Sequence, residues 1–144
     1  MKARTIISMI FVISMFIFSC KPVMQQGSLP TQLEGTRWLL AGMADRDLLK
    51  GGQVTLAFSD GMVHGTDGCN RYSASYVENK DTLIVSENMI MTKMACLEEV
   101  MNQGENFLKA VRDTKKFRRE GQTLILIDAN DQERVTLKEQ KEDH

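Results

Sequence analysis

Apolar and polar residues alternate in short runs along most of the chain, and each run ends at a turn signal. Residues 36–41 (T-R-W-L-L-A) place Trp38 and Leu40 on one face, Arg37 and Leu39 on the other. Residues 54–58 (V-T-L-A-F) bring Val54, Leu56 and Phe58 together, Ser59-Asp60-Gly61 turns the chain, and residues 62–65 return as a hairpin. In residues 71–77, Tyr72, Ala74 and Tyr76 oppose Ser73 and Ser75; Asn79-Lys80-Asp81 then leads into residues 82–85. The last third repeats the pattern in residues 116–119, 124–127 and 134–137, separated by Glu120-Gly121 and Ala129-Asn130-Asp131. A period of two marks half-buried strands, and tight turns between successive strands favour antiparallel neighbours.

Between residues 97 and 114 the period changes, with Leu97, Val100, Met101, Phe107, Leu108 and Val111 at helical spacing and charged or amide residues between them. Gly104, in the middle, costs about 1 kcal/mol relative to alanine and weakens the helical pattern at its centre. Residues 89–94 (M-I-M-T-K-M) fit either strand or loop. Together these elements predict an α+β domain: a curved, meandering, barrel-like antiparallel sheet of about eight short strands, with one amphipathic helix packed over a side or an open end. No internal repeat of fixed period is present.

The first 19 residues stand outside this pattern. Lys2 and Arg4 precede an apolar run over residues 5–18, short for a bilayer span, which ends in Ile17-Phe18-Ser19-Cys20. That is the pattern cut by lipoprotein signal peptidase, and Cys20 is the expected lipidation site; each buried methylene of an acyl chain contributes roughly 0.8 kcal/mol to anchoring. The alternative is an ordinary secretory signal cut at another small residue. The expected organisation is a signal peptide over 1–19, a lipidated flexible tether over 20–32 with Pro22, Gly27, Ser28 and Pro30, a domain over 33–137, and a charged tail over 138–144. The leader holds two of the 18 basic residues and none of the 19 acidic ones, so the exported chain carries 16 against 19 and a net charge of −3. That balance gives no footing for nucleic acid. Of the 10 methionines, three lie in the leader and the rest are expected to fill gaps in the core.

Export bears on the two remaining cysteines. An oxidising compartment favours pairing Cys69 with Cys96, which closes a loop of 28 residues. The alternative is a reactive thiol with His64 as its base. His64, Asp67 and Cys69 offer three metal ligands within six residues, but oxidation of Cys69 removes one of them. There is no G-x-S-x-G elbow and no phosphate-binding loop. Glu98 and Glu99 point about 100° apart on a helix and cannot flank one bond unaided, and residues 128–131 lack the ligand spacing of a calcium loop. Lys115, Lys116, Arg118 and Arg119 form a basic cluster that reads as a solvated strand edge or, alternatively, an anion or partner contact. No catalytic residue, metal or cofactor is expected.

Three segments carry a resemblance: L-E-G-T-R-W-L-L from Leu33, G-T-D-G-C-N-R-Y from Gly65, and M-T-K-M-A-C from Met91. Together they resemble the META domain family, which includes the HslJ-type heat-shock-inducible lipoproteins of the bacterial envelope. The similarity covers about residues 33–137, and the pairing of G-C-N with T-K-M-A-C is its specific part. It implies a curved antiparallel sheet with a packed helix, matches Cys69 and Cys96 to the family's cysteine pair, and makes Gly68, Asn70, Tyr72, Thr92 and Met94 flanking motif positions. An asparagine after glycine-cysteine suits a turn whose side chain caps backbone groups. His64 and Asp67 fall outside the pattern and inherit no role. The resemblance implies a link to envelope stress and supplies no reaction. The expected function is that of a lipid-anchored envelope protein whose non-catalytic domain binds or stabilises another envelope component; the alternatives are a small apolar ligand carrier within the curled sheet and a thiol-dependent enzyme. A structural disulfide favours a periplasm with oxidising machinery and so a Gram-negative bacterium, and Lys21, standing where an aspartate would favour inner-membrane retention, points to its outer membrane.

Overall fold

The computed structural model describes residues 32–44, 46–50 and 52–141; the expected signal peptide, Cys20 and the tether up to residue 31 lie outside the described residues. Among the described residues there are nine strands and one helix. The strands are β1 (Arg37–Met43), β2 (Thr55–Ser59), β3 (Met62–Thr66), β4 (Arg71–Asn79), β5 (Thr82–Val85), β6 (Ile90–Met91), β7 (Thr114–Glu120), β8 (Thr123–Asp128) and β9 (Glu133–Glu139). The helix α1 (Glu98–Asp113) lies between β6 and β7. Eight strands follow one another around a ring in chain order, all antiparallel, and the ring closes where β9 pairs with β1 from Trp38↔Glu139 to Met43↔Val135. The predicted α+β sheet with one helix is therefore a closed barrel, with β6 as a ninth strand attached to β4.

Alternation decides which residues point inward. Trp38, Leu56, Phe58, Val63, Leu124, Leu126 and Leu137 are each at most 1 % exposed, and burying a side chain of this size contributes roughly 1.5–3 kcal/mol. These side chains fill the barrel interior. The apolar hollow that a small-ligand carrier needs is occupied by the protein's own core, which corrects that alternative. The hairpins fit their turns: Asp60 and Gly61 have φ of 54° and 70°, the left-handed pair that a two-residue turn between twisted strands requires.

Both mouths are covered. At one, α1 packs inward through Phe107, Leu108, Ala110 and Val111, and the Phe107 ring meets Tyr72 edge-on with centroids 6.2 Å apart. At the other, Leu33 is fully buried and the Arg119 guanidinium lies 5.2 Å from the Trp38 ring centroid. Arg119 is held there by Glu139 and by the carbonyl of Gln32, both at 2.7 Å.

Three details add to the sequence reading, and the second moves its domain boundary. The helix is unbroken through Gly104. β9 continues to Glu139, past the expected boundary at 137, and the Gln140 N–H donates to the Arg37 carbonyl at 2.8 Å. The β5–β7 junction is thin, with the single register pair Thr82↔Lys116 and one further bond from the Phe117 N–H to the Asp81 carbonyl at 2.8 Å.

Candidate functional site

The motif segments meet at the helix-covered mouth. Asp67 ends the β3 side of the turn into β4 and is buried. Its Oδ1 accepts the Cys69 N–H at 2.8 Å and the Asn70 N–H at 2.5 Å, and its own N–H donates to the Asn70 carbonyl at 2.9 Å. An aspartate side chain that captures the backbone two and three residues on is a self-contained turn. Gly68, at φ +98°, supplies the left-handed step within it.

Asn70 passes the connection onward. Its Oδ1 accepts the Met94 N–H at 2.7 Å and the Thr92 hydroxyl at 3.0 Å. The Thr92 Oγ1 in turn accepts the Arg71 N–H at 3.1 Å, and the Thr92 N–H donates to the Arg71 carbonyl at 3.0 Å. The Cys69–Cys96 disulfide completes the clamp, its Cα atoms 6.0 Å apart. Leu97, which follows it, gives α1 no side-chain cap, while Glu98 and Glu99 place negative charge in the first turn, where the helix dipole favours it.

The helix lies directly on this turn. A Cβ at Gly104 would sit 2.8 Å from the Asp67 carbonyl oxygen and 2.9 Å from its carboxyl carbon. One residue earlier, buried Gln103 accepts the Leu49 N–H at 2.8 Å and ties the β1–β2 connection to α1.

Gly68, Cys69, Asn70, Thr92, Met94 and Cys96 are thus brought together. Tyr72 faces the barrel instead, where its hydroxyl donates to the Thr55 carbonyl at 2.7 Å. Burial, reinforced by the nearby Asp67 charge, holds the Tyr72 phenol well above its ordinary value of 10.0. Tyr76 is shifted the same way, by burial and then by its hydrogen bond to Glu34. As pH rises past about 10 the unfolded chain releases protons that the folded chain keeps, so stability is expected to fall. Urea midpoints between about pH 9 and about pH 11 should decline less steeply in Tyr72→Phe than in the parent; equal slopes would remove Tyr72 from this account.

His64 is apart from the cluster, its Nε2 2.9 Å from the Ser59 Oγ. With Cys69 and Cys96 joined, no free thiol stands beside it among the described residues. Among the described residues no three His, Cys, Asp or Glu side chains converge on a metal-sized site. The basic cluster is largely paired: Lys116 with Asp131 at 2.7 Å, Arg118 with Glu120 and Glu133 at 2.6 Å each, and Arg119 with Glu139. The exposed Lys116 and Arg118 pairs contribute little to stability, whereas the Arg119–Glu139 pair is part-buried.

Three of the methionines expected in the core lie outside it. Met91 and Met101 are 40 % exposed and Met94 is 61 % exposed: Met91 and Met94 lie on β6 and on the segment after it that Asn70 holds, and Met101 is not among the residues that α1 buries. Met91 and Met101 share a groove of about 320 Å3 with Asp67, Asn70, Glu105, Leu108 and Arg112. Sequence reasoning missed Asp67 as the centre of the turn; the signal was the Asp-Gly pair, a turn token that the motif comparison set aside.

The architecture defines the class: a closed antiparallel barrel, one mouth covered by a helix whose start is clamped to the β3–β4 turn by a disulfide. A sequence model of the META domain matches residues 31–142, and the chain belongs to the META domain family. Among solved structures it is similar to the NMR structure of a Burkholderia xenovorans protein, with 25 % identity over 76 % of this chain and 84 % of the other and a TM-score of 0.62. A second NMR structure shares 21 % identity over 74 % of this chain and 91 % of the other, with a TM-score of 0.59. The crystal structure of a DUF4847 family protein from Bacteroides vulgatus shares the fold at 13 % identity, covering 78 % of this chain and 97 % of the other with a TM-score of 0.54. No curated protein matches the chain significantly.

Proposed function

We propose that the chain is exported, cut before Cys20, lipidated there and held at the outer membrane of a Gram-negative envelope, where its META domain acts without catalysis by binding or stabilising another envelope component. The observation that carries this reading is the Cys69–Cys96 disulfide, a bond suited to an oxidising compartment, taken with the lipobox at Ile17-Phe18-Ser19-Cys20. The non-catalytic part is supported by where the polar motif groups are spent: Asp67, Asn70 and Thr92 bond to backbone and to one another. The similarity to HslJ-type lipoproteins makes envelope stress the occasion for its work.

Metabolic labelling with palmitate, followed by detergent phase partition, tests the anchor. The parent chain is expected to take up label and enter the detergent phase, and Cys20→Ser to do neither. An unlabelled parent that retains its leader would reject the reading.

A further inference from the structure

β6 pairs with β4 through Tyr72↔Met91 and Ser73↔Ile90, and among the described residues it has no strand on its other side. The Thr92 N–H bond to the Arg71 carbonyl makes Arg71 and Thr92 a hydrogen-bonded pair of the ladder. Such pairs alternate with non-hydrogen-bonded ones. Tyr72 and Met91 are therefore of the second kind, and the N–H and C=O of Met91 point away from β4. The space that a further strand would occupy is bounded by α1.

The helix presents Met101, Glu105 and Arg112 to that space over the buried Leu108 at its floor, at the spacings of four, three and four residues that keep side chains on one face. With Met91 they line the groove of about 320 Å3, which falls within the size range of ligand sites. Thioether side chains adapt to apolar groups of different shape. Arg112 is half-buried, also lines a second hollow of about 480 Å3 beside Glu87 and Lys115, and makes no ion pair among the described residues. A cation so placed is complemented by an acceptor brought from outside. A strand edge with outward backbone groups, facing a helix across an apolar groove, is the arrangement in which an extended peptide adds as a strand.

We propose that the cleft between β6 and α1 binds an extended peptide segment of an envelope protein, which pairs with the backbone of Met91, seats an apolar side chain on Met91, Met101 and Leu108, and places a carboxylate on Arg112. This deepens the binding role proposed above and rests on it.

The test uses the full chain, 15N-labelled in detergent micelles and titrated with short blocked peptides that alternate varied apolar residues with threonine and carry one aspartate. Saturable shifts are expected at the Met91, Lys93, Met101 and Leu108 amides. N-methylating the peptide residue opposite Met91 should weaken binding about tenfold, the effect of losing one backbone hydrogen bond. Met91→Pro deletes the outward donor while sparing the Thr92 bond to Arg71 and should match that loss, whereas Met91→Leu should bind as the parent does. Arg112→Gln should erase the preference for aspartate over asparagine in the peptide. Equal affinity of the N-methylated peptide, no saturable shift across the panel, or shifts confined to the exposed Val77↔Ile84 pair across β4 and β5 would overturn the proposal. Concentration-dependent shifts at Met91 without peptide would overturn it in favour of a second copy of the chain. In intact cells, a photo-crosslinking residue that captures an envelope protein at Val77 while one at Met101 captures none would overturn the cleft and leave the broader binding role standing; no capture at either position would overturn both.

Discussion

Serine at both Cys69 and Cys96 is expected to lower the unfolding free energy by about 3.5 kcal/mol, the chain-entropy value for a closed loop of this length. The bond joins residues 27 apart and encloses β4, β5 and β6, so its loss lets the unfolded chain expand over two of the eight ring strands and the attached β6. Against the 5–15 kcal/mol typical of a whole domain, roughly a quarter to two-thirds of the total is at stake. Most of the effect acts through the unfolded chain. The folded clamp retains the Asn70 bonds to Thr92 and Met94, so amide shifts there should change little in the variant. Urea unfolding should give a lower midpoint and a steeper dependence on denaturant, since more surface is exposed on unfolding. Reducing the parent chain should reproduce the same curve. A loss below about 1 kcal/mol would show that the polar clamp, without the sulfur bridge, already restrains the loop in the unfolded state.

Much of the barrel was legible because its logic is local. Val54, Leu56 and Phe58 alternate with polar or small neighbours, Asp60-Gly61 turns the chain, and each hairpin carries similar tokens, so the meander follows from the pattern. Its closure does not. β1 meets β9 across most of the domain's length, and no residue in either strand signals that partner. The same limit applies at the site. The cysteine pair was readable from count, context and motif, whereas Asp67 looks in sequence like any solvated turn residue. Its burial arises only when α1 crosses above it. Met91, Met94 and Met101 have the composition of core filler; the short β6 and the segment after it leave Met91 and Met94 outside, and the outer side of α1 leaves Met101 there. The thin β5–β7 junction likewise depends on where α1 ends and β7 begins.

Gly104→Ala separates local propensity from tertiary contact, and it is expected to destabilise the domain by about 2 kcal/mol. In a helix with free space around it, this change would add about 1 kcal/mol of stability, since glycine is a poor helix former. Here the new methyl group would lie 2.8 Å from the Asp67 carbonyl oxygen, 2.9 Å from Cγ and 3.0 Å from Cβ. None of these atoms is a loose end. The Asp67 backbone is tied to Asn70, and its carboxylate holds the Cys69 and Asn70 N–H groups. Relief therefore requires lifting α1, which unpacks Phe107 and Leu108, or breaking a bond to a charged oxygen worth about 1.5–3 kcal/mol. Urea unfolding reads the sign directly, and an unchanged or raised midpoint would mean that the helix does not press on the turn. The displacement should also reach the β6 cleft, because Glu105 and Leu108 line it and move with the helix. Amide shifts at Cys69 and Asn70 accompanied by shifts at Met91 would establish that the turn, the helix and the cleft are mechanically one unit.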